Sequence, residues 1–405
     1  MIEPRKIRIG GFAILVAALV CGCILSHKRG EATTDIEISI EFTKHAVHEE
    51  FISEGVAVGD VNQDGLKDIL AGAYWFEAPD WVSHEIQQPQ SFDYTAGWSN
   101  SFLNFVMDIN YDGWVDLIRI DFPGESVYWY ENPKGREQHW KEYVIDTNAC
   151  NESPMMVDVD DNGRMDLVFG HEKSGTMMWF RSPDKGAGLQ WKAIPISTER
   201  APGTKRYDHG LGFSDINGDG RKDIITRYGW WEAPKNRENV PWVFHETSFG
   251  APCSQMYAYD FDMDGDKDII STSAHDYGIW WHEHGQEEEE EEEDEPSFTR
   301  HLIDSSFSQT HGAAFADLND DGLPDLITGK RFFAHLGKDP GGLEPAVLYW
   351  FELLLDKASK PYWIPHLIDD ESGAGLQVVI EDLNNDGLPD IINSNKKGVI
   401  CFLQK

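Results

Sequence analysis

Asp60-Val-Asn62-Gln-Asp64-Gly-Leu-Lys-Asp68 is the stretch on which the fold turns. Its first, third, fifth and ninth positions carry oxygen-bearing side chains, and glycine holds the sixth. Alternate side chains of this kind, with a backbone carbonyl at the seventh position, can wrap one hard cation such as calcium, which takes six to eight oxygens. Glycine permits the tight turn. An EF-hand starts the same way but needs a glutamate at position 12. Ala71 stands there, and no other copy of the motif has glutamate at that place, so the EF-hand is excluded. The competing reading is an Asx-rich hairpin turn without metal.

The motif occurs seven times. The further copies are Asp108-Ile-Asn110-Tyr-Asp112-Gly-Trp-Val-Asp116, Asp158-Val-Asp160-Asp-Asn162-Gly-Arg-Met-Asp166 and Asp215-Ile-Asn217-Gly-Asp219-Gly-Arg-Lys-Asp223. They continue with Asp260-Phe-Asp262-Met-Asp264-Gly-Asp-Lys-Asp268, Asp317-Leu-Asn319-Asp-Asp321-Gly-Leu-Pro-Asp325 and Asp382-Leu-Asn384-Asn-Asp386-Gly-Leu-Pro-Asp390. First positions are 48, 50, 57, 45, 57 and 65 residues apart. That is the repeat length of a propeller blade with insertions. Seven oxygen-rich loops in one chain favour calcium, in up to seven structural sites, over a metal-free turn.

The flanks read as strands. An apolar run precedes each motif, as in Gly55-Val-Ala-Val-Gly59, and a β-rich run follows, as in Asp68-Ile-Leu. Each loop therefore joins a first strand to a second. A third, aromatic strand comes next, as in Tyr74-Trp-Phe-Glu77 and Tyr349-Trp-Phe-Glu352. A fourth often carries histidine three residues after an aromatic: His84, His245, His301 and His366. Repetition assigns these histidines, with His45, to packing. After the seventh motif only two strands remain, and the missing one stands at the other end, in Phe42-Thr-Lys-His45-Ala-Val47. The expected fold is all-β: a single seven-bladed β-propeller over residues 40–405, with a calcium-binding loop between strands one and two of each blade and the ring closed by the N-terminal strand.

These loops and strands resemble the FG-GAP/VCBS repeats of integrin-α-type propellers, over nearly the whole chain. Ala274-His275-Asp-Tyr-Gly-Ile-Trp-Trp281 and Thr328-Gly-Lys330-Arg331-Phe-Phe-Ala-His335 resemble a group of exported bacterial VCBS-repeat proteins. That group is similar to the propeller of aldos-2-ulose dehydratase, a sugar-dehydrating enzyme. The resemblance implies a dehydratase step only by analogy, and no residues are left over for that enzyme's cupin part.

The chain has 405 residues, with 34 Lys+Arg against 71 Asp+Glu, for a formal net charge of -37. That excess excludes nucleic acid as a partner, because phosphate binding needs clustered basic residues. The ligand positions of the seven motifs hold 22 of the acidic residues, and the run from Glu287 to Glu295 holds nine more. Such a run reads as a solvated excursion between strands.

Arg5, Lys6 and Arg8 precede an apolar run, Phe12 to Leu25, of 14 residues. A membrane span needs about 20. Residues 1–23 therefore read as an export signal. Leu19-Val20-Cys21-Gly22-Cys23 resembles a bacterial lipobox, with Cys23 as the lipidated residue. The polar residues 24–39 read as a tether. The expected location is outside the cytoplasm, as a cell-envelope lipoprotein or a secreted protein. It touches membrane only through a lipid anchor, and a monomer is expected.

If the first strands run toward the calcium loops, their starts lie on the opposite face. Six residues before each motif stand Glu54, Phe102, Glu152, His209, Ser254, His311 and Leu376. Second-strand ends add Arg119, His171, Arg227, His275, Lys330, Arg331, His335, Lys396 and Lys397, with Tyr74 and Asp276 nearby. Three readings are open. In the first, His209 and His311, with Glu152, His275 or His171, hold a transition metal such as zinc, and Lys330, Arg227 or Arg331 stabilises an enolate-like intermediate of a sugar dehydratase or lyase. In the second, the same residues bind a carbohydrate or a surface protein. In the third, they only satisfy loop hydrogen bonds.

Overall fold

Val, Ile and aromatic residues dominate the runs between the Asp-rich loops, and such residues favour a pleated, half-buried surface. In the computed structural model these runs are strands. The structure describes residues 40–285 and 297–405. The export signal, the tether and the acidic run expected from the sequence lie outside the described residues. Ile40–Lys405 forms one compact unit. Among the described residues there is no α-helix, and a single 3-10 turn spans Ala334–Gly337.

The strands form antiparallel sheets. Ala57–Gly59, Asp68–Ala71, Tyr74–Glu77 and Val82–Glu85 lie in sequence order in one four-stranded sheet. Three more four-stranded sheets repeat that order, beginning at Leu211–Ser214, Tyr257–Tyr259 and Thr310–Ala316. Between the first sheet and these, a seven-stranded sheet runs from Leu103–Met107 to Lys192–Pro195. It contains two four-strand units sharing the 17-residue strand Lys141–Val157. Lys141 to Ala149 pair with Glu125–Glu131, and Ala149 to Val157 pair with Asp166–His171. The last sheet orders Phe42–His48, Gly398–Gln404, Asp390–Asn395 and Val378–Glu381. The amino-terminal strand thus pairs with the carboxy-terminal one, Phe42 opposite Gln404 and His45 opposite Cys401.

Every copy of the motif ends on the first residue of a strand: Asp68, Asp116, Asp166, Asp223, Asp268, Asp325 and Asp390. The sixth-position glycines take left-handed φ, from 83° at Gly163 to 108° at Gly265, a region that costs side-chain-bearing residues energy. Between loops, buried residues of successive units pack on one another. Ile118 and Trp129 meet Leu167 and Phe169 in one cluster. Ile69 and Phe76 of the first sheet meet Ile392, Val399 and Cys401 of the last. Close packing of aromatics and β-branched residues between sheets replaces a disulfide framework, for Cys150, Cys253 and Cys401 are all free and buried.

The fourth-strand histidines do more than fill space. His84 stacks on Trp75 at 4.2 Å and bonds Glu77 at 2.8 Å. The same trio recurs as Trp230, His245 and Glu232, and as Trp350, His366 and Glu352. The glutamate also reaches the loop: Asn62 donates to Glu77 and Asn319 to Glu352. In the third copy, where Asp160 replaces asparagine, Arg181 replaces the glutamate and donates to Asp160 at 2.7 Å. Donor and acceptor are exchanged and the link is kept.

Candidate functional site

At the loop ends of the first strands, each motif folds around its own oxygens. Asp60 accepts from the backbone N–H groups of Asp64 and Gly65, and Asn62 Oδ1 accepts from Asp64. Asp68 is buried and accepts from Val61 in the loop and Ala78 beyond the third strand. Equivalent bonds hold Asp116, Asp223 and Asp325. Burial pushes Asp68 up to about 6 and Asp116, Asp223 and Asp325 up to about 7. The backbone donors oppose that rise, while the first- and fifth-position carboxylates add to it. Such a surplus of negative charge suits a divalent cation. The carboxylates of Asp158, Asp160 and Asp166 lie within 4.8 Å of one another, as do those of Asp260, Asp262 and Asp264. The donors are all oxygen, so these residues fit calcium. The ninth-position aspartates also fasten loop to sheet, a role their spacing alone did not reveal.

At the opposite ends of the first strands, Glu152, His209 and His311 come together, and His275 joins them from the end of a second strand. The ring nitrogens of His209, His275 and His311 lie within 4.8 Å of one another. His209 Nδ1 stands 2.9 Å from the carbonyl of Tyr207, and His275 Nδ1 stands 3.3 Å from Asp339 Oδ2. Both partners can only accept, so both Nδ1 atoms carry hydrogen. In the neutral rings both Nε2 atoms are then bare, and they face each other at 3.2 Å. His311 is 2 % exposed, and neither of its nitrogens has a hydrogen-bond partner. Burial, with nearby positive charge, holds His311 well below the usual imidazole range and His275 down to about 4, so both rings are neutral near pH 7. Converging bare imidazole nitrogens are what zinc takes as ligands.

Beneath them lies a buried charge cluster. The Arg331 guanidinium is 3.1 Å from Glu54 and 3.4 Å from Glu152. Glu152 Oε2 is 3.5 Å from His209 Nε2. Burial alone would raise Glu152, but the neighbouring His209 imidazole and the Arg331 guanidinium hold it below the usual carboxylate range. The floor is stitched by two glutamines. Gln377 accepts from Asn104 and donates to its carbonyl, and Gln255 donates to the carbonyl of Leu376. Past them a largely apolar cavity of about 340 Å³ is lined by Met155, Leu211 and Met256 among others.

The mouth is rimmed by aromatic rings. Exposed Tyr207 contacts Phe122 at 5.9 Å, Phe122 contacts Trp98 at 5.7 Å, and Trp98 meets His335 at 6.3 Å. His335 in turn stacks on His275 at 4.5 Å. Lys396 lies under Trp98, its Nζ donating to the carbonyls of Tyr94 and Phe333. Burial lowers it to about 8.

Not every residue expected at the mouth joins this cluster. Arg227 turns to Tyr228 and the carbonyl of Gly250. Lys330 is buried and donates to Ser308 and the carbonyl of Gly341, holding the segment after its strand. Arg119 pairs with Asp121, His171 with Ser174, and Tyr74 packs on His48. Conversely, Trp98, Phe122 and Asp339 belong to the site and carry no repeat signal. Asp339, four residues after His335, is reached by a turn that no periodicity marks.

A family model described as "FG-GAP-like repeat" matches residues 108–169, 158–226 and 260–328. Those spans hold the second to sixth motifs. No curated protein matches the sequence, so nothing there supports the likeness to aldos-2-ulose dehydratase. Among solved structures, BBS1N in complex with ARL6DN aligns with a TM-score of 0.52 at 10% identity, covering 90% of this chain and 96% of that one. An Agrocybe aegerita lectin described as recognising non-reducing terminal N-acetylglucosamine aligns at 0.46 and 16%, covering 83% and 82%. Rhamnogalacturonan lyase YesW aligns at 0.44 and 12%, covering 89% and 72%. At these identities the likeness is one of fold, and it is to β-propellers. The described residues are all-β, and residues 108–226 and 260–328 carry FG-GAP-like repeats.

Proposed function

We propose that the chain is an exported, calcium-stabilised seven-bladed β-propeller that binds a carbohydrate at the mouth opposite its calcium loops. The pairing of Phe42–His48 with Gly398–Gln404 supports the ring closure. The observation that carries the ligand reading is the run of ring contacts from Tyr207 through Phe122 and Trp98 to the half-buried imidazoles of His335 and His275. Aromatic faces suit the apolar faces of sugar rings, and the polar groups beneath suit hydroxyls. A surface protein is the other class of ligand for the same rim. Calorimetry against a panel of oligosaccharides tests this: Trp98→Ala should cost at least tenfold in affinity for any sugar bound. A panel with no binder, or one bound equally by the variant, would remove the carbohydrate reading.

The convergent bare nitrogens favour a second reading, a metal-assisted dehydratase acting on a keto-sugar or oxidised glycoside. His209, His275 and His311 would hold zinc, which when bound supplies Lewis-acid polarisation of a carbonyl. Glu152 would take the proton next to that carbonyl and pass it to a hydroxyl on the following carbon, which leaves as water. Turnover of a keto-sugar should raise an enone absorbance in the ultraviolet that His311→Ala abolishes. Absence of turnover across keto-sugars and oxidised glycosides would leave the binding reading alone.

A further inference from the structure

Residues Phe333, His335 and Leu336 have left-handed backbones, with φ of 54°, 46° and 58°. Each such non-glycine residue is strained and persists only where surrounding contacts impose it. The contacts are present. Lys330 donates to Gly341, Ser308 Oγ donates to the carbonyl of Pro340, and Tyr277 donates to Glu344. Together they pin a strained arm whose product is the placement of one carboxylate. Asp339 accepts from His335 Nδ1 at 2.9 Å, from His275 Nδ1 at 3.3 Å and from Gln309 Nε2 at 3.3 Å.

The two imidazoles are stacked, with an interplanar angle of 21°. Parallel rings cannot aim their in-plane lone pairs at one ion, so Asp339 serves as a shared acceptor and not as part of a second cation site. Its effect falls on His275. Without that carboxylate, His275 is free to carry its hydrogen on Nε2 and donate it to His209 Nε2, 3.2 Å away. The pair would then be satisfied by itself. With the carboxylate, hydrogen is held on Nδ1 and the two bare Nε2 atoms require something between them.

From this we infer that Asp339 is the positioning residue of the mouth: by fixing the tautomer of His275 it turns a self-satisfied histidine pair into a site that demands a cation. The inference deepens the metal reading above and rests on it for the identity of the cation. The tautomer assignment stands separately. Ligand histidines commonly donate to such a carboxylate, and its loss typically costs ten- to a hundredfold in metal affinity.

The experiment uses the full exported chain and zinc alone, in calcium-containing buffer. Asp339→Ala should weaken zinc ten- to a hundredfold and alter the absorption bands of the cobalt-substituted protein. His335→Ala removes the other imidazole held by Asp339, which stacks on His275 without binding the ion, and should stay within about threefold of the parent. Equal affinity in Asp339→Ala and parent overturns the proposal, as does an equal loss in both variants. Nitrogen NMR of labelled histidine in the zinc-free parent gives the independent arm. His275 is expected as the Nδ1–H tautomer, and an Nε2–H signal overturns the proposal even if Asp339→Ala fails to fold. A parent protein that binds no zinc but shows the Nδ1–H tautomer sinks the metal reading and leaves the assignment of Asp339 intact.

Discussion

His209 and His275 face each other through Nε2 atoms 3.2 Å apart, and each has its other nitrogen tied to an acceptor. Two lone pairs do not hold that distance without a proton or a cation between them. Zinc at a hundred times its dissociation constant should therefore stabilise the protein by about 2.7 kcal/mol. His209→Ala and His275→Ala should each lose that increment. Calorimetric melting with and without zinc checks this, and an equal shift in the variants would place the ion elsewhere.

The Asp-rich loops separate two roles that the motif combines. Asp64 is exposed and bonds only within its own loop, whereas Asp68 is buried and fastens that loop to the sheet. Asp64→Ala should lower the melting temperature in millimolar calcium and have little effect in chelator. Asp68→Ala should cost about 3 kcal/mol in both, because two buried N–H groups lose a charged acceptor. Chelator should also lower the parent's melting temperature sharply, since a site with a dissociation constant of ~10⁻⁴ M contributes about 1.4 kcal/mol in millimolar calcium. A melting curve indifferent to chelator would refute calcium in the loops.

His282 is 1 % exposed, bonds Ser271 at 2.8 Å and lies edge-on to Phe249. Burial, helped by Arg300 and His301, lowers it to about 4. Its folded value is below the unfolded one of about 6.5, so the unfolded chain takes up the proton first. The resulting stability is full above pH 6.5 and declines as pH falls toward 4, by about 3 kcal/mol. In His282→Gln that part of the acid sensitivity should vanish. Parallel stability-against-pH curves for the two proteins would refute it.

Arg331 is 2 % exposed between Glu54 and Glu152. Arg331→Met leaves two buried carboxylates without their cation and should cost about 3–5 kcal/mol. Chemical denaturation measures this directly, and a loss under 1 kcal/mol would mean that water or another cation reaches the pair.

How much of this could be read in advance follows from what a repeat reveals. Each motif located the first residue of a second strand, because the loop chemistry and the strand start are one local feature. The amino-terminal strand was found by counting, and Phe42 does lie opposite Gln404. The merging of two units through Lys141–Val157 was not legible, since it depends on one strand staying extended where others break. Glu152, His209 and His311 stood out because ionisable residues occupied places where a packed strand would be apolar. Lys330 stood out because it ends a second strand, and it proved to be a fastening for the arm. Asp339 is 130 residues from His209 and lies in no repeat, so only the folded arm brings it to His275. Gln255 and Gln377 escaped because stitching strands across the molecule leaves no periodic trace.

The sheet formed by Phe42–His48 and Gly398–Gln404 sets a timetable for the newborn chain. Its first strand leaves the ribosome before the later sheets exist, and its partner follows only after about 350 further residues. At roughly 5–20 residues per second, the wait is about 20–70 s. During it the edge of Phe42–His48 is unclaimed, which is the state in which strands pair with the wrong neighbour. Shielding that segment until release is therefore a requirement of this topology, whichever machinery of the cell supplies it.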